Sequence, residues 1–237
     1  MRRVNLTIAV GLLAIALFAS PGAGRGAAPA NRIVGGSPAA DGTLLFTGAV
    51  VIAGGPPQAD RRRETCTATL IRRDVAITAA HCFLSPDPYE PFPFIPKEKL
   101  NLVFGKRVLS SPDPGQRAAI ASVFIPASFK PTAPLSDADF AVIHLDQALS
   151  LPTAPLLPPA ADPARLYGQL GSFAGWGVRR PFGRAAAAAL RQGSGTIVPS
   201  TGCLGPKFLR RSGAFLCLVG RSLGAVCHGD SGGPLVV

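Results

Sequence analysis

Apolar and polar positions alternate in short runs along most of this chain, and proline or glycine interrupts nearly every run. Period-two alternation bounded by turn residues is the signature of β-strands. In the first half, Leu44 to Gly54, Thr65 to Ile71, Val75 to Ala79, Leu100 to Phe104 and Ala119 to Ile125 read as strands. Phe140-Ala141-Val142-Ile143-His144-Leu145 alternates into another, with His144 on its polar or structural side. Gln169 to Trp176, Ser194 to Val198 and Phe215 to Val219 follow in the second half. Pro86 to Pro96 reads as a loop, because proline cannot donate to a sheet ladder. Leu151 to Pro163 is a second proline-rich stretch and a candidate linker between two halves. Ala185 to Ala189 is helix-like in composition, but Gly193 and Gly195 break any continuation, so it is read as leading into a strand. Many short strands joined by turns predict an all-β sandwich or a pair of barrels.

The amino terminus has a different pattern. Arg2 and Arg3 precede the apolar run Val4 to Ala19, and Ala28-Pro29-Ala30 supplies small residues for cleavage. Residues 1–30 therefore read as a signal peptide. An uncleaved anchor is the competing reading, disfavoured because the run is short for a span. After cleavage no membrane span is expected. The chain of 237 residues carries a formal charge of +11. Residues 1–30 hold Arg2, Arg3 and Arg25 and no acids, so their removal leaves +8. The basic pairs and triplets, including Arg61-Arg62-Arg63 and Arg72-Arg73, are dispersed and expected on solvated loops. They could attract anionic polymers or cell envelopes, but no aromatics interleave with them, so specific nucleic-acid recognition is not expected.

Three local patterns carry chemistry. Gly229-Asp230-Ser231-Gly232-Gly233-Pro234 sets a serine between glycines, where a substrate carbonyl can approach the backbone. A serine hydroxyl is a weak nucleophile and needs a base, itself oriented by an acid. His81, in Thr78-Ala79-Ala80-His81-Cys82, is the best base; His228 adjoins the serine too closely in sequence to face it and suits a substrate contact. Asp139 abuts an apolar strand and would be drawn inward, where a carboxylate can fix an imidazole tautomer. Asp137 reads as a solvated turn residue, and local sequence leaves open that both aspartates are turn residues. The five cysteines, on an exported chain, are expected to pair rather than bind metal. Histidines directly adjacent to cysteines do not match zinc spacings, and neither a metal nor another cofactor is expected.

On these motifs, in this order, the chain resembles the trypsin-like, chymotrypsin-fold serine proteases from Ile33 to Val237. Thr78–Cys82 matches the histidine motif, Asp139 and its strand the aspartate motif with Phe140 for the usual aliphatic residue, Gly175-Trp176-Gly177 a turn of the second barrel, and Cys227–Pro234 the serine motif. The resemblance implies two Greek-key antiparallel β-barrels with the active site between them. It implies His81, Asp139 and Ser231 as the catalytic triad, and the N–H groups of Gly229 and Ser231 as the oxyanion hole. It also implies a short propeptide, residues 31–32, with activation by cleavage after Arg32, so that the Ile33 amine pairs with Asp230. Disulfides Cys66–Cys82 and Cys203–Cys217 follow from the same resemblance, and Cys227 would pair with a cysteine downstream of the serine. The family places the pocket base at Ala225, with Val226 next and His228 nearby. Ala225 offers no counter-charge for a buried cation, so a small or apolar residue is expected at the cleaved position. The Pro86–Pro96 insertion is expected to border the cleft.

The family continues past its serine motif with two strands, a serine supporting the buried aspartate, a substrate-pairing strip and a terminal helix. None of these is in the sequence. The second barrel is therefore expected to be incomplete, the literal chain to be unstable or inactive, and the sequence to be a fragment. A secreted, monomeric protease is expected, with protein or peptide substrates and protease inhibitors as partners. Two other readings compete. A secreted non-catalytic binding protein on the protease fold would use the basic surface. An α/β-hydrolase would fit G-x-S-x-G but needs a histidine after the serine, where none exists.

Overall fold

β-Branched and small apolar residues dominate the runs that become strands, and the fold follows from closing those runs on themselves. In the computed structural model, the described residues are 36–85, 94–132, 137–178, 186–202, 215–220 and 226–237. The strands are β1 (Ser37–Pro38), β2 (Thr47–Ile52), β3 (Glu64–Arg72), β4 (Val75–Thr78), β5 (Leu100–Phe104), β6 (Gln116–Phe124), β7 (Ala141–Leu145), β8 (Leu170–Gly175), β9 (Arg191–Pro199), β10 (Leu216–Val219) and β11 (Leu235–Val236). β2-β3-β4-β7-β6-β5 close into an antiparallel barrel, which leaves no free edge. The second sheet runs β1-β9-β8-β11, with β10 also paired to β9.

Alternation set the inward faces as the sequence predicts. In β7, Ala141, Ile143 and Leu145 are buried, while His144 is exposed. The barrel core gathers Val50, Leu70, Leu102, Phe104 and Ile143, all fully buried. A second cluster, Val51, Val103, Leu109, Ala174, Trp176 and Leu190, joins the barrel to the second sheet. Trp176 donates its indole N–H to the Arg107 carbonyl at 3.0 Å, which satisfies its one polar atom. The proline-rich Leu151–Pro163 stretch is tied to the barrel, because the Ala154 N–H donates to the Leu70 carbonyl at 2.8 Å.

The predicted strands all appear, with ends shifted by a few residues. β1 and β11 were not legible, being two residues long and without period. Ala186–Ala189 is not helical. The basic triplet departs from expectation: Arg61-Arg62-Arg63 sits not in a loop but in a helical turn, α1 (Asp60–Arg63). Asp60 is fully buried there. Its carboxylate accepts from Arg63 at 2.9 Å, Lys106 at 3.0 Å and Arg117 at 2.7 Å. Lys106 is itself buried, so its ammonium depends on Asp60 and on the Pro57 carbonyl at 2.7 Å. A buried charge persists where it is paired and hydrogen-bonded, which is why Arg63 of this run turns toward Asp60 while Arg62 stays exposed. Asp60→Ala removes the anion and leaves the ammonium buried. Urea unfolding is expected to show a loss of about 3–5 kcal/mol; a loss under about 1 kcal/mol would mean that the cluster relaxes into solvent.

Candidate active site

His81 lies in the short 3-10 turn Ala80–Phe83, which follows β4 after Thr78. Its neighbour Cys82 is bonded to Cys66 of β3, so the turn is tied to the barrel wall. Asp139 stands two residues before β7, the strand that pairs with β4. That pairing brings the two side chains together. Asp139 Oδ1 accepts the His81 backbone N–H at 2.9 Å, and Oδ2 lies 2.7 Å from His81 Nδ1. A carboxylate accepting from Nδ1–H leaves Nε2 as the free acceptor. Asp139 is 12% exposed and His81 is 31% exposed. Ala80, Ala138 and Phe129 form a small buried cluster beside them. Asp137 is exposed in a turn, as expected.

The serine lies on a turn held by both sheets. The Thr67 N–H of β3 donates to the Ser231 carbonyl at 2.9 Å, and Thr67 Oγ1 to the Gly229 carbonyl at 2.7 Å. Thr69 Oγ1 donates to the Gly232 carbonyl at 3.1 Å. β11, immediately after the turn, pairs with β8 and fixes its exit. Gly229 has φ +95° and Gly232 φ +82°, a region that penalises any Cβ. A Cβ at Gly232 would also lie 2.1 Å from Thr78 Oγ1.

Asp230 points inward and is buried. Its Oδ1 accepts the Gly177 N–H at 2.8 Å and its Oδ2 the Cys227 N–H at 2.9 Å. Burial raises its pKa, and these two hydrogen bonds work against the rise. Beside it stands a residue that the sequence reading missed. Glu64, the first residue of β3, has its pKa pushed up to about 9, by burial first and by the Asp230 charge second. A glutamate one position before a predicted strand gave no local signal of this neighbour far along the chain.

His81, Ser231, His228, Val226 and Asp230 line one cavity of about 700 Å³, together with Leu84 and Cys227. Asp139 reaches it through His81. The His228 side chain is exposed, and its carbonyl accepts the Val178 N–H at 2.8 Å. Arg32, Ile33, Ala225, Cys203 and most of Pro86–Pro96 lie outside the described residues, as does the expected signal peptide. Cys217 is disulfide-bonded, and Cys227 carries a free thiol. Cys66, His81 and Cys82 bring potential ligand atoms within 4.8 Å of one another. Both sulfurs are consumed in the disulfide and offer no thiolate to a metal. Among the described residues, no helix is long and apolar enough to cross a membrane.

Residues 33–237 match the Trypsin family. Human granzyme M is 30% identical over 204 residues, covering 82% of this chain and 74% of that protein. Rat granzyme M is 31% identical over 190 residues, covering 74% of this chain and 65% of that protein. Mouse transmembrane protease serine 7 is 25% identical over 219 residues; the match covers 90% of this chain but 24% of that protein. Among solved structures, human heparin binding protein superposes with a TM-score of 0.61 at 23% identity, covering 85% of this chain and 79% of that one. The VesB protease of Vibrio cholerae superposes with a TM-score of 0.56 at 24% identity, covering 72% and 46%. At these identities the superpositions speak for the fold, and the fold is that of two β-sheet units with the cavity lined from both. A closed six-stranded barrel, a second antiparallel sheet and a family match across residues 33–237 agree, and the chain belongs to the trypsin family of serine proteases.

Proposed function

We propose that this chain is a secreted serine endopeptidase that cleaves peptide bonds through Ser231, His81 and Asp139. The observation that carries this reading is the 2.7 Å contact of His81 Nδ1 with Asp139, in a cavity that Ser231 also lines. Ser231 Oγ attacks the peptide carbonyl while His81 Nε2 takes its proton. The oxyanion that forms accepts from the N–H groups of Gly229 and Ser231. His81 then protonates the leaving amine, and water hydrolyses the acyl-enzyme ester by the same route. Asp139 holds the imidazole tautomer and stabilises the imidazolium.

Cleavage after Arg32 activates the enzyme by freeing the Ile33 amine to pair with Asp230. Asp230 is buried and directed inward, its carboxylate accepting the Gly177 and Cys227 backbone N–H groups, a setting in which an ammonium would be a favourable partner. Ala225 and Val226 favour a small or apolar residue at the cleaved bond. A fluorophosphonate tests the whole reading. The chain processed after Arg32 is expected to label, the unprocessed chain to label far more slowly, and Ser231→Ala not at all. Equal labelling before and after processing would sink the activation step. A folded, processed chain that never labels would leave a non-catalytic binding protein as the better account.

A further inference from the structure

Glu64 has no part in the mechanism above, yet it lies beneath one of the two oxyanion donors. A Cβ on Gly229 would sit 2.9 Å from Glu64 Oε1 and 3.1 Å from Oε2. The carboxyl therefore fills the space that any side chain at 229 would take. Three residues further along β3, Thr67 holds the carbonyls of Gly229 and Ser231. Asp230 holds the same turn from its other side, through Gly177 and Cys227. The turn is thus fixed on every side except under Gly229, and Glu64 is the group there. Its Oε1 is buried and has no hydrogen-bond partner among the described residues.

We propose that Glu64 is a positioning residue of the oxyanion turn, an uncharged acid that braces Gly229 and keeps its N–H directed at the reacting carbonyl. This rests on the protease reading above. The choice of which acid is neutral follows from the hydrogen bonds. Asp230 accepts two backbone N–H groups and bears the charge. Glu64 accepts none that the described residues supply and keeps its proton, with its pKa near 9 from burial and then from Asp230. Asp230 is the charged group that faces it. The preceding Arg63 turns its guanidinium to the Ile52 carbonyl and to Asp60. On β2 the residue opposite is Val51, and Gly177, whose Cα lies 3.0 Å from where a Gly229 Cβ would sit, carries no side chain. Ionising Glu64 sets two carboxylates against each other under the turn.

The sign of the pH effect is fixed by this arrangement. An acid whose ordinary pKa of 4.5 is raised to about 9 in the fold favours the fold fully below 4.5, and that support is lost as pH rises toward 9. Asp230, also raised, acts in the same direction. Glu64→Gln has the same shape and no proton to lose. The test measures the rate of fluorophosphonate labelling of Ser231 from pH 6 to 10, with thermal midpoints, on processed wild type, Glu64→Gln and Glu64→Ala. Glu64→Gln is expected to label within about threefold of wild type at pH 7, and Glu64→Ala on the order of tenfold slower or worse, as when an oxyanion donor is misplaced. Between pH 8 and 10 the wild type is expected to lose labelling more steeply than Glu64→Gln, and between pH 6 and 9 its thermal midpoint is expected to fall more steeply. The Ile33 amine titrates in both, so the difference between the two limbs is the readout. A Glu64→Gln protein as slow as Glu64→Ala, or one that retraces the wild-type alkaline limb, overturns the assignment. No labelling of wild type at any pH overturns the protease reading and this role together, whereas labelling with an unchanged Glu64→Gln limb overturns the role of Glu64 alone.

Discussion

Replacing His81 by alanine is expected to lower kcat for peptide hydrolysis on the order of 10⁶-fold, with KM changed little. Ser231 Oγ is bracketed by glycines, and no other histidine is placed to serve it. His144 is exposed on the outer face of β7, and the His228 side chain is exposed at the cavity rim. Removing the base therefore leaves the hydroxyl protonated, while the turn that would bind the oxyanion stays intact. That turn is held by Thr67, Thr69, Gly177 and β11, none of which touches the imidazole through a hydrogen bond. The fold should survive as well, because His81 is 31% exposed and the Cys66–Cys82 bond still anchors its segment. The measurement is steady-state kinetics on a chromogenic peptide with an apolar residue at the cleaved bond, beside a thermal unfolding curve. A loss smaller than about a hundredfold in a folded variant would mean that another group takes the proton.

Asp139→Asn is expected to cost about 10⁴ in kcat, from geometry that hardly changes. Asp139 accepts twice, from the His81 backbone N–H and from the ring at Nδ1. An asparagine has one oxygen. If that oxygen keeps the backbone N–H, the amide NH₂ faces Nδ1 and forces the proton onto Nε2. The imidazole then presents a donor where the Ser231 proton must go. If the amide flips instead, the backbone contact is lost and the 3-10 turn that carries His81 loosens. Either way the loss falls on kcat. Asp137→Asn is the matched control, since Asp137 is exposed in the preceding turn. It should change kcat by no more than about twofold, as surface substitutions do. Similar losses from both variants would remove Asp139 from the orienting role.

The strands and the chemistry-bearing motifs were legible because their signals are local. Alternation in β7 put Ile143 inward and His144 outward. The same rule placed β5 at Leu100–Phe104 to the residue. Serine between glycines on a tight turn, histidine before a cysteine, and an aspartate abutting an apolar strand are each contained within a few positions. They were readable without knowing what lies across the cleft. β1 and β11 escaped because two residues have no period; they exist as strands through their partners β9 and β8.

What the chain alone determined was the run of strands and three reactive residue types in order. What tertiary structure decided was which charges went inside. Arg61-Arg62-Arg63 looks like a solvated run, yet Asp60 drew Arg63, and with it Lys106 from the loop after β5 and Arg117 from β6, around one buried carboxylate. Glu64 looks like the polar edge of a strand, yet closure of the fold set it under Gly229 and beside Asp230. Electrostatic cost depends on distance in space and on exclusion of water, and neither is written in local sequence. Hydrophobic alternation survives any arrangement of neighbours, so it can be read ahead of the fold. The state of a buried acid is set by neighbours that only the fold supplies.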